Sequence, residues 1–174
     1  MATASITSDQ DTVLAEIFIA APPERVFQAI TDPTQTTQWW GQPGLYRVTE
    51  AKVDLRPGGK WRSSGVGANG AEFYVEGEYL EIDPPRRLVH TWISSYSAAL
   101  KTVVHWELEP QKVHSLQQSG PHKMGTGTLV KIRHQGFAGN PEQALSHGQG
   151  WKRVLGWMQA FVEQGETIET RKSA

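Results

Sequence analysis

The sequence predicts an α+β fold: an antiparallel sheet of six or seven strands that wraps one long C-terminal helix, with two short helices after the first strand. Two observations carry this reading. Between Thr12 and Gln135 most segments are strand-like, alternating apolar and polar residues or lying between Gly and Pro turn signals. From Pro141 to Gln164 the period changes to that of a helix. Placed at helical intervals, Ala144, His147, Trp151, Val154, Leu155, Met158, Phe161 and Val162 share one broad arc, while Lys152, Arg153, Gln159 and Glu163 fall opposite. At 1.5 Å per residue this helix would run roughly 36 Å, long enough to cross a sheet. A sheet wrapped around such a helix leaves room between them, and function is expected in that room.

The elements follow in order. Residues 1–11 are small and polar and are expected to be a disordered N-terminal tail. Thr12–Ile19 puts Val13, Ala15, Ile17 and Ile19 on one face of a strand. Ala21-Pro22-Pro23-Glu24 opens a short helix whose buried stripe is Val26, Phe27 and Ile30. Asp32-Pro33 restarts a second one, with the aspartate as N-cap, ending at Trp39-Trp40-Gly41. Strands are predicted near 45–55, 59–66, 72–82, 87–95, 101–109 and 126–135, separated by turn signals at 56–59, 65–70 and 83–85. Thr102, Val104, Trp106 and Leu108 share a face, as do Thr128, Val130, Ile132 and His134. Gln111 to Gly125 has no apolar period and reads as a long, mobile hairpin loop. Residues 12–164 thus form a single domain, and 165–174 a polar C-terminal tail.

With 174 residues the chain can close a core without staples. A formal charge of -1 makes no electrostatic case for nucleic acid or an anionic membrane. No run has the apolar length of a membrane span, and the N-terminus carries no basic-then-apolar leader, so the cytoplasm is expected. With no cysteine, disulfides, thiolate catalysis and thiolate metal sites are excluded.

Gly65-Val-Gly-Ala-Asn-Gly70 matches a dinucleotide-binding fingerprint literally. That mechanism delivers pyrophosphate to a helix N-terminus, whereas Glu72–Glu76 alternates like a strand, so a hairpin turn is the reading. The histidines lack metal-ligand spacing, and no metal or cofactor is expected. His105 and His134 should point to opposite sides of the sheet. Lys60 and Arg62 could face Glu78 and Glu76 as cross-strand ion pairs, each worth roughly 0.2–1 kcal/mol. His134 and His147 aim at the helix–sheet interior, where a neutral imidazole is either an acid/base group or a core histidine bonded to the backbone.

Seven tryptophans are more than a domain of this size needs as filler. Trp40 ends a short helix, Trp61, Trp92 and Trp106 sit on strands, and Trp151 lies on the inner arc of the last helix. These indoles either pack as core or line a cavity, and an aromatic-lined cavity with a few polar groups is what a small-molecule site looks like. The expected ligand-binding residues are Trp40, Trp61, Tyr79, Trp92, Trp106, His134, Trp151, Leu155 and Met158, with His134 and His147 as candidate catalytic residues. Trp157, at the edge of the arc, is expected to be a surface contact.

The stretch Ala21-Pro-Pro-Glu-Arg-Val-Phe-Gln-Ala-Ile-Thr-Asp-Pro33 resembles the opening of the START-like (SRPBCC) superfamily, the helix-grip fold of the birch-pollen-allergen type. Trp39-Trp-Gly41, Asp54-Leu-Arg-Pro-Gly-Gly-Lys-Trp61, Gly77-Glu-Tyr-Leu-Glu-Ile-Asp-Pro-Pro85 with Arg87-Leu-Val-His-Thr-Trp92, and His147-x-x-Gly-Trp151-x-x-x-Leu155 narrow it. Together they resemble the branch named after the activator of heat-shock-protein-90 ATPase, C-terminal-domain type, from about residue 12 to 164. The resemblance implies a curved antiparallel sheet gripping the last helix around an apolar cavity. It does not imply one function, because the superfamily hosts lipid carriers, cyclases, hydrolases and chaperone regulators.

Three functions are therefore expected in competition. The first is binding of a small hydrophobic or aromatic molecule in the cavity. The second is a cyclase- or hydrolase-type enzyme using a histidine there. The third is a protein-interaction module, chaperone-regulating or homodimeric, contacting its partner through Gln111–Gly125 and Trp157.

Overall fold

The computed structural model describes residues 1–97, 100–114 and 124–174. The elements are β1 (Thr3–Ile6), β2 (Thr12–Ile19), α1 (Pro23–Thr31), α2 (Pro33–Trp39), β3 (Gly41–Gln42), β4 (Tyr46–Val53), β5 (Lys60–Gly67), β6 (Glu72–Asp83), β7 (Arg87–Ser94), β8 (Thr102–His114), β9 (Met124–Gln135) and α3 (Pro141–Gln164). One antiparallel sheet of nine strands runs β1-β2-β9-β8-β7-β6-β5-β4-β3. β4 to β9 are neighbours in chain order, and β2 returns beside β9 with Val13 opposite His134 and Ile17 opposite Val130.

The period-two faces predicted from sequence are the buried ones. Val13, Ala15, Ile17 and Ile19 of β2, Thr102, Val104, Trp106 and Leu108 of β8, and Thr128, Val130, Ile132 and His134 of β9 all lie inside. Pairing of Val104 with His134 and of His105 with Arg133 sends the two histidines to opposite sides. The charged ladder also forms: Arg62 Nη1 lies 2.9 Å from Glu76 Oε2, and Lys60 pairs with Glu78. These pairs are exposed and add little to stability.

Sharp curvature comes from close strand approach. A Cβ on Gly77 of β6 would lie 2.0 Å from the Thr91 carbonyl oxygen of β7, so only glycine fits there. Register shifts between Tyr79 and Glu81 and between Val48 and Glu50 add bulges that bend the sheet around α3.

α3 spans the residues expected of it and buries Ala144, Gly148, Trp151, Val154, Leu155, Met158 and Phe161 against the sheet. It ends at Gly165, whose φ of 70° is the left-handed cap conformation. Gly156 sits mid-helix, and a Cβ there would meet nothing within 4 Å. Gly156→Ala is therefore expected to stabilise the fold by about 0.5–1 kcal/mol, raising Tm by roughly 1–4 °C. A lower Tm by calorimetry would contradict this.

Four expectations are corrected. Residues 3–6 are a strand rather than part of a disordered tail: Thr3 pairs with Glu16 and Ile6 with Val13, and Ala2 is buried. A four-residue strand of small residues carries too little alternation to be seen in sequence. With the two-residue β3, it raises the strand count to nine. The loop expected at 111–125 is shorter, because Gln111 to His114 pair with Gly127 to Met124; residues 115–123 lie outside those described. Trp157 is not a surface contact: it is buried, with the Tyr46 ring 5.6 Å from its own and the Arg171 guanidinium over its face.

The C-terminal segment is packed, although its composition is polar. Ile168 is buried and its N–H donates to the Gln38 carbonyl. Arg171 is buried and stacks its guanidinium 5.4 Å above the Trp157 ring. It also pairs with Glu166 at 2.6 Å and donates to the carbonyls of Trp39 and Gly41. No helix among the described residues is long and apolar enough to cross a membrane.

Candidate functional site

The site begins with how α2 ends. Asp32 caps this helix by accepting from the Thr34 N–H at 2.9 Å. One turn further, Trp39 is fully buried and its indole N–H donates to the Ala29 carbonyl at 2.9 Å, pinning α2 to α1. Its neighbour Trp40 is held against it, ring centroids 5.1 Å apart, and lies 6.3 Å from both Trp92 of β7 and Trp151 of α3. Sheet, α2 and helix thus each contribute one indole to the same place.

These three line a cavity of about 550 Å³ between β4–β7 and the first half of α3. Tyr46, Val48, Phe73, Val75 and Val154 complete its apolar wall; Glu72, Ser95, Ser146, His147 and Arg153 add polar groups. Tyr96, which is 56% exposed, also lines it. Burial pushes the Tyr46 phenol up to about 12, so it is a neutral wall group at ordinary pH.

Behind Trp40, Val75 and Trp92, which they share, lies a smaller chamber of about 40 Å³. Trp61, Tyr79 and Trp106 line this chamber, together with Ser63 and His90. The expected ligand-binding residues are therefore divided. Trp40, Trp92 and Trp151 reach the main cavity, whereas Trp61, Tyr79 and Trp106 reach only the inner chamber. Leu155, Met158 and His134 are fully buried and line neither; they are core residues, a correction to their expected role. On an amphipathic helix the most central positions are the ones packed deepest, so Leu155 and Met158 seal the core while Trp151 and Val154 border the space.

His134 has both ring nitrogens committed. Its Nδ1 accepts from the Trp151 indole N–H at 3.0 Å, which leaves the proton on Nε2. Nε2–H donates to the Thr102 hydroxyl at 2.6 Å, and that hydroxyl donates to the Trp92 carbonyl at 3.2 Å. Burial holds its pKa well below the usual histidine range. Such an imidazole orients Trp151 and has no lone pair or proton to offer a guest, so its candidacy as a catalytic residue is withdrawn.

A second pair of the same kind was not anticipated. The Trp106 indole donates to His90 Nε2 at 3.0 Å, and His90 Nδ1–H donates to the Thr91 carbonyl at 3.0 Å. Burial lowers the His90 pKa to about 4. The signal in the sequence was the alternation Leu88, His90, Trp92, which puts all three on one strand face.

His147 differs. Its Nδ1–H donates to the Gln143 carbonyl at 2.8 Å, one turn back on α3. In the neutral ring Nε2 then carries a lone pair, and it makes no hydrogen bond among the described residues. Burial lowers its pKa, opposed by the bond to Gln143, so it is neutral at pH 7. Among the described residues it is the one histidine lining the cavity. Tyr46, Phe73 and Tyr96 were missed as wall residues, although Tyr46/Val48 and Phe73/Val75 repeat the inward period of two. Among the described residues no group of three or more His, Cys, Asp or Glu could hold a metal ion.

Comparison with known proteins places this geometry. The family described as Activator of Hsp90 ATPase homolog 1-like protein matches residues 20–117, more than half of the chain. No curated protein matches the sequence. Among solved structures, a Rhodobacter sphaeroides protein is similar with a TM-score of 0.73 and 18% identity, over 93% of this chain and 97% of that one. CalU16 from Micromonospora echinospora gives 0.61 and 21% identity, over 95% and 85%. DynU16, from the dynemicin biosynthetic locus, gives 0.67 and 19% identity, over 93% of this chain and 50% of that chain. At these identities the likeness establishes the fold.

Proposed function

The chain belongs to the Activator of Hsp90 ATPase homolog 1-like family, and from that premise we propose that it binds a small hydrophobic or aromatic molecule between the sheet and α3. The observation that carries this reading is the cavity of about 550 Å³ walled by Trp40, Trp92 and Trp151. That volume lies within the roughly 300–1,000 Å³ of small-molecule sites, and the lining has their composition: aromatic walls with few polar groups. The three indoles lie against one another, centroids 6.0–6.3 Å apart, and together present one aromatic wall to that space. The same fold in DynU16, a protein of a biosynthetic locus, is in keeping with a small organic guest.

A guest that binds only the native protein raises its stability by about 2.7 kcal/mol at a hundredfold excess over Kd. The test is thermal denaturation against a panel of planar aromatics, fatty acids and steroids. A rise of several degrees with one class is expected. Unchanged melting across the whole panel would overturn the proposal.

The free Nε2 of His147 favours one second reading, in which the bound molecule is also turned over. A neutral imidazole with one lone pair facing a sheltered cavity is suited to general-base chemistry, worth roughly 10²–10⁴-fold in rate. Replacing His147 by Gln should then abolish turnover of a bound substrate while its Kd changes little. Equal turnover in the variant would remove catalysis from this residue.

A further inference from the structure

Among the described residues one arginine forms neither a hydrogen bond nor an ion pair, and it stands in the lining of the main cavity. Every other arginine of the chain bonds to a carboxylate, an amide oxygen or an imidazole. Arg153 does not, and residues 98–99 and 115–123 contain no Asp or Glu that could serve it. On an open surface such a side chain is simply hydrated, but this one borders an apolar space. It is also the one cation in that lining among the described residues, since His147 is neutral. Burial raises the Tyr46 phenol and the Arg153 charge opposes that, so the field of the guanidinium reaches the cavity wall.

Ser146, Gly150 and Arg153 recur at helical spacing on one side of α3, and all three line the cavity. A Cβ on Gly150 would meet nothing within 4 Å, so packing does not require a glycine there. In mid-helix it is destabilising, and it leaves bare backbone between Ser146 and Arg153. From the sheet side, Ser95 Oγ accepts from the Tyr74 N–H at 3.0 Å and keeps its own proton to donate. Ser95, Ser146 and Arg153 are exposed as well as cavity-lining, so they form its rim. Glu72 shares that rim, and no ion pair joins it to Arg153 among the described residues.

We infer that Arg153 anchors an acid: the guest is a planar aromatic carboxylate, its ring among Trp40, Trp92 and Trp151 and its carboxylate at the rim. The inference rests on the cavity accepting an apolar guest, as proposed above. Guanidinium and carboxylate match as a two-bond fork, and the hydroxyls of Ser95 and Ser146 add donors to the same rim. Holding the charge at the exposed rim avoids the cost of burying it among the indoles. Glu72 repels such a guest and sets its affinity below what Arg153 alone would allow.

Naphthoate and naphthamide share one ring system and outline and differ in a carboxylate against a carboxamide. In calorimetric titration at low ionic strength naphthoate is expected to bind about fivefold more tightly, as one partly exposed fork pair allows. At roughly 1 M salt, which screens charges within about 3 Å, that preference should shrink. Arg153→Gln should bring the ratio down to about one, and Glu72→Gln should raise it. Arg153 has no bonding partner among the described residues, so its replacement breaks no contact that holds the fold. Equal affinities, a preference that survives Arg153→Gln, or one that falls in Glu72→Gln would overturn the anchor and leave the apolar site standing. Binding of neither compound would overturn the anchor too; the melting panel then decides the site, which falls if no member shifts Tm.

Discussion

Lowering the pH from 7 to 5 is expected to remove about 4 kcal/mol of folding stability through two buried histidines. His90 and His134 are neutral in the folded protein, with pKa values depressed by burial, to about 4 for His90 and well below the usual range for His134. In the unfolded chain both titrate near 6.5. Between the two values the unfolded state binds more protons, so stability is complete above about pH 6.5 and falls as the solution is acidified. Each histidine contributes a slope of about 1.4 kcal/mol per pH unit in that window. Protonation would also break the donor–acceptor pairs with Trp106 and Trp151, since the accepting nitrogens would themselves become donors. Urea unfolding at pH 7, 6 and 5 measures the effect. His134→Gln, which keeps an acceptor for Trp151, should remove about half of the slope. Stability independent of pH over this range would refute the argument.

Arg171→Ala is the second change with a large expected effect, a loss of about 3–5 kcal/mol. The guanidinium is a charge taken out of water and compensated from every side: Glu166 at 2.6 Å, the carbonyls of Trp39 and Gly41, and the face of Trp157. Removing it leaves two carbonyls and a half-buried carboxylate without their donor and exposes Trp157. Because Trp39 precedes Trp40, loosening this clamp should also weaken binding in the cavity. Arg171→Lys keeps the charge but loses the planar fork, and should recover only part of the stability. Chemical denaturation of both variants gives the measurement; an Arg171→Ala protein within 1 kcal/mol of the parent would show that the C-terminal segment is held by other contacts.

Neither clamp was legible in the sequence, while much of the scaffold was. The alternation at 12–19, 102–108 and 128–134, the helical arc of 141–164, the Asp32 cap and the Lys60/Arg62 ladder appear in the structure as read. These features depend on neighbours one to four residues apart or on a hairpin register, and such local spacing is written along the chain. The N-terminal strand and the C-terminal segment were misread because their burial is supplied by distant partners: Glu16 for Thr3, Trp39 and Trp157 for Arg171.

The aromatic residues mark the same boundary more finely. Sequence alone determined that the indoles of Trp106 and Trp151 share a face with apolar neighbours, because periodicity decides which side of an element a residue occupies. It could not determine their depth. Only the tertiary structure, by bringing β7, β8, β9 and α3 together, decided that Trp106 and Trp151 satisfy their N–H groups on His90 and His134, while those of Trp61 and Trp92 meet no partner among the described residues. Hydrogen-bond partners in a core are set by where separate elements meet. For His90 and Trp106, or His134 and Trp151, that meeting is fixed by strand register and helix packing, to which no residue spacing along the chain corresponds.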